Sequence, residues 1–237
     1  MRQLPLAIGP EPECSFETFL TGANAAALQH LRTLGASAAP VYLWGASGCG
    51  KTHLLRALAG RVQAGGGVVG WFESGSALPW ALEPGWSLVL VDRCDELDEE
   101  TQRATFALFE DAASEGVAFA AAGRLPPVDL PLREDLRTRL GWGHVFALET
   151  LSEPETRAAL RREADRRGIF LGDEVMGHML SRFPRDLTHL MRLLERLDEF
   201  SLAKSRQITV PLVRQMLAEE GGGEPANVSA APRGAAQ

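Results

Sequence analysis

The sequence predicts an α/β protein: a parallel sheet flanked by helices, followed by a small all-helical domain. Three observations predict it. Apolar runs of strand length alternate with helical patterns as far as about residue 150. Residues 45–52 read Gly-Ala-Ser-Gly-Cys-Gly-Lys-Thr, a complete GxxxxGK(S/T) loop between an apolar run and a helical pattern. After Leu151 only helical patterns remain.

Each element follows in order. Residues 1–12 are Pro-rich and read as an extended arm. Residues 16–34 have helical spacing that ends at Gly35. Val41-Tyr42-Leu43-Trp44 is the strand before the loop, and His53 to Leu58 continue as a helix. Gly65-Gly66-Gly67 is a turn before a short strand at 68–72. Ser87 to Val91 is a buried-strand run ending in Asp92. Residues 101–113 read as a helix and 117–122 as another buried strand. Ser152-Glu153-Pro154-Glu155 is a helix start, with a capping hydroxyl and acids in the first turn. Helices are expected at 153–167, 173–182, 184–202 and 210–219. Gly221-Gly222-Gly223 opens a tail of Ala, Pro, Gly and Ser that is too poor in apolar residues to fold. The expected organisation is therefore an arm at 1–12, an α/β domain at 13–150, a helical domain at 151–220 and a disordered tail at 221–237.

The 237 residues are 45% hydrophobic and 23% charged, which suits a soluble globular chain with a real core. The N-terminus lacks a signal-peptide pattern, and no run reaches the ~20 apolar residues of a membrane span. Cys14, Cys49 and Cys94 have neither zinc-site nor disulfide-framework spacing. A reducing cytoplasm is the expected location. The net charge of −7 comes from residues 1–150, with 11 basic and 18 acidic residues, while 151–220 holds 12 of each. That balance argues against a protein whose main task is gripping duplex DNA. Arg161, Arg162, Arg166 and Arg167 form a local basic stripe, read as a solvated helix face.

The loop carries the first chemistry. Gly45 and Gly50 let successive backbone N–H groups of Gly45, Ala46, Ser47, Gly48, Cys49 and Gly50 turn inward onto phosphate oxygens. Lys51 adds a positive charge at the β and γ phosphates, and Thr52 offers a hydroxyl to Mg²⁺. The following helix, beginning near His53, adds its positive dipole end. Asp92 closes a strand some 40 residues on, at the crevice where open α/β sheets bind ligands, and can share that Mg²⁺. The residue after it is Arg93, which has no acceptor and cannot polarise water. Asp95 and Glu96 stand near in sequence, either as a substitute acid or as part of a solvated acidic loop. Nucleotide binding with Mg²⁺ is thus expected and self-catalysed hydrolysis is not.

About 44 residues precede the loop, a helix precedes the first strand, and a helical domain follows the sheet. This arrangement resembles the AAA+ ATPases. Leu136-Arg137-Thr138-Arg139-Leu140-Gly141-Trp142-Gly143 is similar to the arginine-finger segment of the bacterial replication initiator DnaA. Phe183-Pro184-Arg185-Asp186-Leu187 resembles its sensor 2 segment in the helical lid, and Ser15 to Phe19 with Asn24 resembles its segment beside the adenine. An initiator-like core followed by a Gly/Ala/Pro tail, where the initiator has its DNA reader, resembles the Hda branch of the family. Gln3-Leu4-Pro5-Leu6-Ala7-Ile8 resembles the hexapeptide that docks on the DNA sliding clamp, with Gln3, Leu4, Leu6 and Ile8 as contact residues.

The resemblance implies ADP or ATP as the bound nucleotide, and a cytoplasmic regulator with DnaA and the sliding clamp as partners. It would promote hydrolysis of initiator-bound ATP in trans through Arg139 and so prevent re-initiation. Arg185 would report the bound nucleotide. A homodimer or larger oligomer is compatible with AAA+ surfaces, and contact with DNA would be indirect or weak. Two departures stand against the family pattern: Arg93 follows Asp92, and Ala121-Ala122-Gly123 lacks the polar sensor 1 residue. Both point to a nucleotide that is held rather than hydrolysed. Two alternatives stay open, an autonomous ATPase such as a helicase loader and a nucleotide-binding adaptor.

Overall fold

A computed structural model describes residues 14–36, 38–183 and 186–219. The chain divides into two units, residues 1–152 and 153–237.

The first unit is a five-stranded, all-parallel sheet. Its strands are β1 (Val41–Trp44), β2 (Val68–Phe72), β3 (Trp86–Val91), β4 (Ala118–Gly123) and β5 (His144–Ala147), in spatial order β2-β3-β4-β1-β5. Parallel strands need crossover connections, and these carry α2 (Lys51–Ala64), α3 (Glu99–Glu115) and α4 (Glu134–Leu140). Alternate residues of the central strands feed opposite faces. Val41, Leu43, Leu88, Leu90, Ala120 and Ala122 pack with Leu28 and Leu31 of α1 (Ala25–Thr33) and with Leu54, Leu55 and Leu58 of α2. Tyr42, Val89, Val91, Phe119 and Ala121 pack on the other face with Leu108 and Phe109 of α3 and Leu136 and Leu140 of α4. This two-sided burial is why β1, β3 and β4 read as continuous apolar runs.

Three elements differ from the sequence expectation. The helix expected over 16–34 is helical only at Ala25–Thr33. Ahead of it the Ser15 hydroxyl accepts from the backbone N–H of Glu17 and Thr18 at 3.2 Å each, and Gly22 takes φ +48°. A side-chain-capped turn and a left-handed glycine thus outcompete helix there. α4 and β5 were not expected as separate elements. β5 is a half-exposed edge strand of four residues, too short to show a period. The expected strand at 87–91 begins one residue earlier, that at 117–122 is shifted by one, and the expected helix at 101–113 extends two residues further at each end.

The second unit holds α5 (Glu153–Arg166), α6 (Asp173–Arg182), α7 (Leu187–Lys204) and α8 (Val210–Glu219), close to the four expected helices. They enclose Leu160, Met176, Met179, Leu190, Leu194, Leu197, Leu212, Val213 and Met216, each with no exposed surface. Asp186 caps α7 by accepting from Thr188 N–H at 3.0 Å. Three arginines of the basic stripe are paired within this unit. Arg166 and Arg167 hold Glu163, Arg167 also approaches Glu195, and Arg161 meets Asp173.

No helix among the described residues is long and apolar enough to cross a membrane. The arm at 1–12 and the tail at 221–237 lie outside the described residues.

Candidate nucleotide site and arginine edge

The loop between β1 and α2 adopts the glycine-dependent shape its sequence demands. Gly45, Gly48 and Gly50 have φ of +152°, +79° and +98°. A Cβ on Gly45 would stand 2.3 Å from the Leu148 carbonyl oxygen, and one on Gly50 would stand 2.6 Å from the Phe19 ring. Both positions therefore require glycine twice over, for backbone conformation and for space. Ala46, Ser47 and Gly48 are exposed at the tip, while Cys49 is buried beneath it. Lys51 folds back across the loop, its Nζ donating to the carbonyls of Gly45 at 2.7 Å and Ala46 at 2.9 Å.

β3 delivers Asp92 to the same place. The Thr52 hydroxyl donates to Asp92 Oδ2 at 2.6 Å, and the Arg93 backbone N–H donates to Oδ1 at 2.9 Å. The two residues expected to share a metal are thus brought together across 40 positions of sequence. Asp92 is buried, and its own N–H continues the ladder to Phe72 O at 2.9 Å. A hydroxyl and a carboxylate side by side are hard oxygen donors that suit Mg²⁺, an ion that takes few protein ligands and shares the rest with phosphates and water.

The residues beyond Asp92 face elsewhere. Arg93 has a left-handed φ of +53°, and its guanidinium approaches Glu73, after β2, at 3.9 Å. Asp95, one alternative for a water-orienting acid, is tied to Arg124 at the end of β4. Its Oδ1 accepts from the Arg124 backbone N–H at 2.9 Å, and its Oδ2 accepts from the Arg124 side chain. Burial opposes ionisation of Asp95, but these Arg124 contacts outweigh it and hold the carboxyl below its ordinary value. A carboxylate so held is a weak base. Glu96 is exposed.

The end of β4 also explains the missing polar sensor. A Cβ on Gly123 would stand 2.2 Å from the Tyr42 hydroxyl and 3.3 Å from Asp95 Oδ1. Tyr42 donates to Leu125 O at 2.9 Å, and burial pushes its phenol far above the ordinary value. A tyrosine hydroxyl from β1 fills the space a side chain at 123 would need. Tyr42 and Arg124 carried no motif, so sequence reasoning passed over both.

The leading segment is fastened to the loop helix. His53, expected to line the nucleotide, has its Nε2 2.8 Å from Ser15 O, and its ring is tilted against Phe19 at 5.5 Å. Burial lowers the His53 pKa, the Ser15 hydrogen bond partly opposes that, and Arg56 adds to the lowering. Asn24 clamps the same segment to the chain after β5, donating to Glu149 O at 2.9 Å and accepting from Glu149 N–H at 2.8 Å.

Arg139 lies in the last turn of α4, 32% exposed. Its Nε is 3.0 Å from Glu110 Oε1 on α3, and its guanidinium lies over the Trp142 ring, 5.1 Å from the centroid. Arg137, two positions earlier, points more than half a helical turn away. Arg185 and the residues Gln3, Leu4, Leu6 and Ile8 lie outside the described residues.

Comparisons with known proteins match both units. The family model described as "Hda, lid domain" matches residues 153–217, and the bacterial DnaA ATPase domain model matches residues 11–66. Domain III of the Thermotoga maritima replication initiation protein DnaA superposes with a TM-score of 0.72 at 20% identity, covering 88% of this chain and 97% of that one. AMPPCP-bound DnaA from Aquifex aeolicus gives 0.66 at 18% identity, over 89% and 70%. The Thermotoga maritima RuvB Holliday junction branch migration motor gives 0.56 at 19% identity, over 76% and 61%. The fold is therefore that of an AAA+ core with a helical lid. An initiator-type ATPase model on the first unit and an Hda-type model on the second make this chain an Hda-like, DnaA-related AAA+ protein.

Proposed function

We propose that the chain is a nucleotide-holding regulator that promotes hydrolysis of ATP bound to DnaA. One observation carries this reading. The phosphate and metal residues are assembled, with Lys51 across the loop and Thr52 on Asp92, whereas Asp95 is consumed by Arg124 and Arg93 offers no acceptor. A site built this way holds ADP or ATP and hydrolyses it poorly.

In the bound state the ammonium of Lys51 exchanges the Gly45 and Ala46 carbonyls for phosphate oxygens. Thr52 and Asp92 would hold Mg²⁺, which would supply positive charge beside the phosphates. Arg185, outside the described residues, is assigned to the nucleotide on the sequence resemblance alone. The chain's outward chemistry is Arg139. Its guanidinium stabilises negative charge that develops on the phosphoryl group of the neighbouring initiator's ATP, an effect worth roughly 10³-fold or more for trans-acting fingers. Gln3, Leu4, Leu6 and Ile8 tether the protein to a DNA-loaded sliding clamp in the cytoplasm and raise its effective concentration near the initiator.

The test is the hydrolysis rate of DnaA-bound ATP with clamp loaded on DNA, comparing wild type, Gln3→Ala and Arg139→Ala. Acceleration that needs the clamp and is lost in both variants is the expected result. Steady ATP turnover by this protein alone, with no effect on DnaA, would replace the proposal with an autonomous ATPase. Neither activity would leave a nucleotide-binding adaptor.

A further inference from the structure

We infer that Trp142 is a positioning residue for Arg139: its indole face fixes the guanidinium at the surface in the orientation needed to meet a partner's nucleotide. The inference rests on the trans-acting reading of Arg139 and extends it by one residue.

The backbone around Trp142 leaves it little choice of place. α4 ends with Gly141 N–H donating to Arg137 O at 3.1 Å, and Trp142 N–H donates to Arg139 O at 3.2 Å. This tight turn brings position 142 back beside position 139. The next residue is pinned as well. A Cβ on Gly143 would stand 1.8 Å from Pro40 O, and His144 N–H donates to the same carbonyl at 2.8 Å as β5 begins. The backbone at position 142 is therefore fixed from both sides, which places the indole beside Arg139.

The guanidinium is then bounded on two sides. The guanidinium carbon lies over the indole, 5.1 Å from the ring centroid, and Glu110 of α3 lies 3.0 Å from Nε. α3 and α4 share one core through Leu108, Phe109, Leu136 and Leu140, so the two walls stand on a common base. An unrestrained arginine would spread over many rotamers, and only the aligned fraction could stabilise charge in a partner. An aromatic face is the surface on which a guanidinium stacks best.

Packing does not account for this tryptophan. Trp142 is 73% exposed, whereas Trp80 is 5% exposed within the core.

The experiment measures the rate of DnaA-bound ATP hydrolysis against the concentration of this protein, with clamp loaded on DNA. The variants are Trp142→Leu, Trp142→Phe, Arg139→Ala and the double variant Arg139→Ala/Trp142→Leu. Trp142→Leu keeps apolar bulk and removes the π face. It is expected to lower the maximal rate about two- to fivefold, the range of one cation–π contact, with the half-saturating concentration and the melting temperature unchanged. Trp142→Phe, which keeps a ring, should recover most of the rate. The double variant should be no slower than Arg139→Ala alone. A Trp142→Leu maximum equal to wild type, beside a collapsed Arg139→Ala, would overturn this inference and leave the finger intact. A loss that appears only in the half-saturating concentration would overturn it too, making Trp142 a docking contact. Arg139→Ala equal to wild type would overturn the finger and this inference together.

Discussion

The chemistry at the loop turns on two side chains that share one hydrogen bond. Asp92 accepts from Thr52 at 2.6 Å and from Arg93 N–H at 2.9 Å, so both its oxygens already face donors. An asparagine there would present an NH₂ to one of those donors and carry no charge for a divalent ion. Asp92→Asn is therefore expected to lower the Mg²⁺-dependent part of adenine-nucleotide affinity about tenfold or more. Calorimetric titration with ADP, once with Mg²⁺ and once with EDTA, reads this difference. An equal loss in EDTA would assign Asp92 to loop geometry instead. The loop and Asp92 were legible in the sequence because each is contiguous with a strand that announces its place. The Asp95–Arg124 pair was not legible, because 29 positions separate two ordinary charged residues and only the adjacency of β3 and β4 joins them. The same holds for Tyr42, whose role at Gly123 depends on β1 and β4 lying side by side.

At the scale of elements, histidines fasten the helices on which the site depends. His53 of α2 meets the leading segment at Ser15, and the His30 ring of α1 is tilted against that of His144 of β5 at 4.2 Å. Burial lowers the pKa of His53, with the Ser15 contact opposing and Arg56 adding, and burial then His144 lower that of His30. Their folded values therefore lie below the ordinary 6.5. The unfolded chain binds more protons in the interval between the two values, so stability is full above 6.5 and is lost as pH falls through the folded values. Urea unfolding of the whole chain at pH 7.5, 6.5 and 5.5 should show a declining midpoint, and His53→Gln should reduce that decline. An identical decline in the variant would clear His53 of any part in it. The element order was largely readable, since buried parallel strands are continuous apolar runs. α4 and β5 escaped because they are short, and β5 is open on its outer side. The N-terminal half of the 16–34 pattern has helical spacing, yet Ser15 and Gly22 divert its backbone into turns.

Over the whole molecule the two units have separate cores, and the second is small. Its four helices bury a continuous set of Leu, Met and Val side chains, including Leu160, Met179, Leu194 and Met216 with no exposed surface. A unit of this size sits near the lower limit at which a single core suffices, with stability rarely above about 3–5 kcal/mol. Ion pairs add to it. The Arg166 side chain, with Arg167 beside it, outweighs burial and holds the Glu163 carboxyl at about 2, so this contribution persists until strongly acidic pH. The Asp186 cap contributes about 1 kcal/mol at the start of α7. Residues 153–219 expressed alone are therefore expected to fold, with helical circular dichroism and a single sigmoidal urea transition. Residues 14–152 alone are expected to keep nucleotide binding through the loop and Asp92, and to gain about 2.7 kcal/mol at a ligand concentration of a hundred times Kd. A gradual, non-sigmoidal melt of the 153–219 fragment would show that its core needs the rest of the chain.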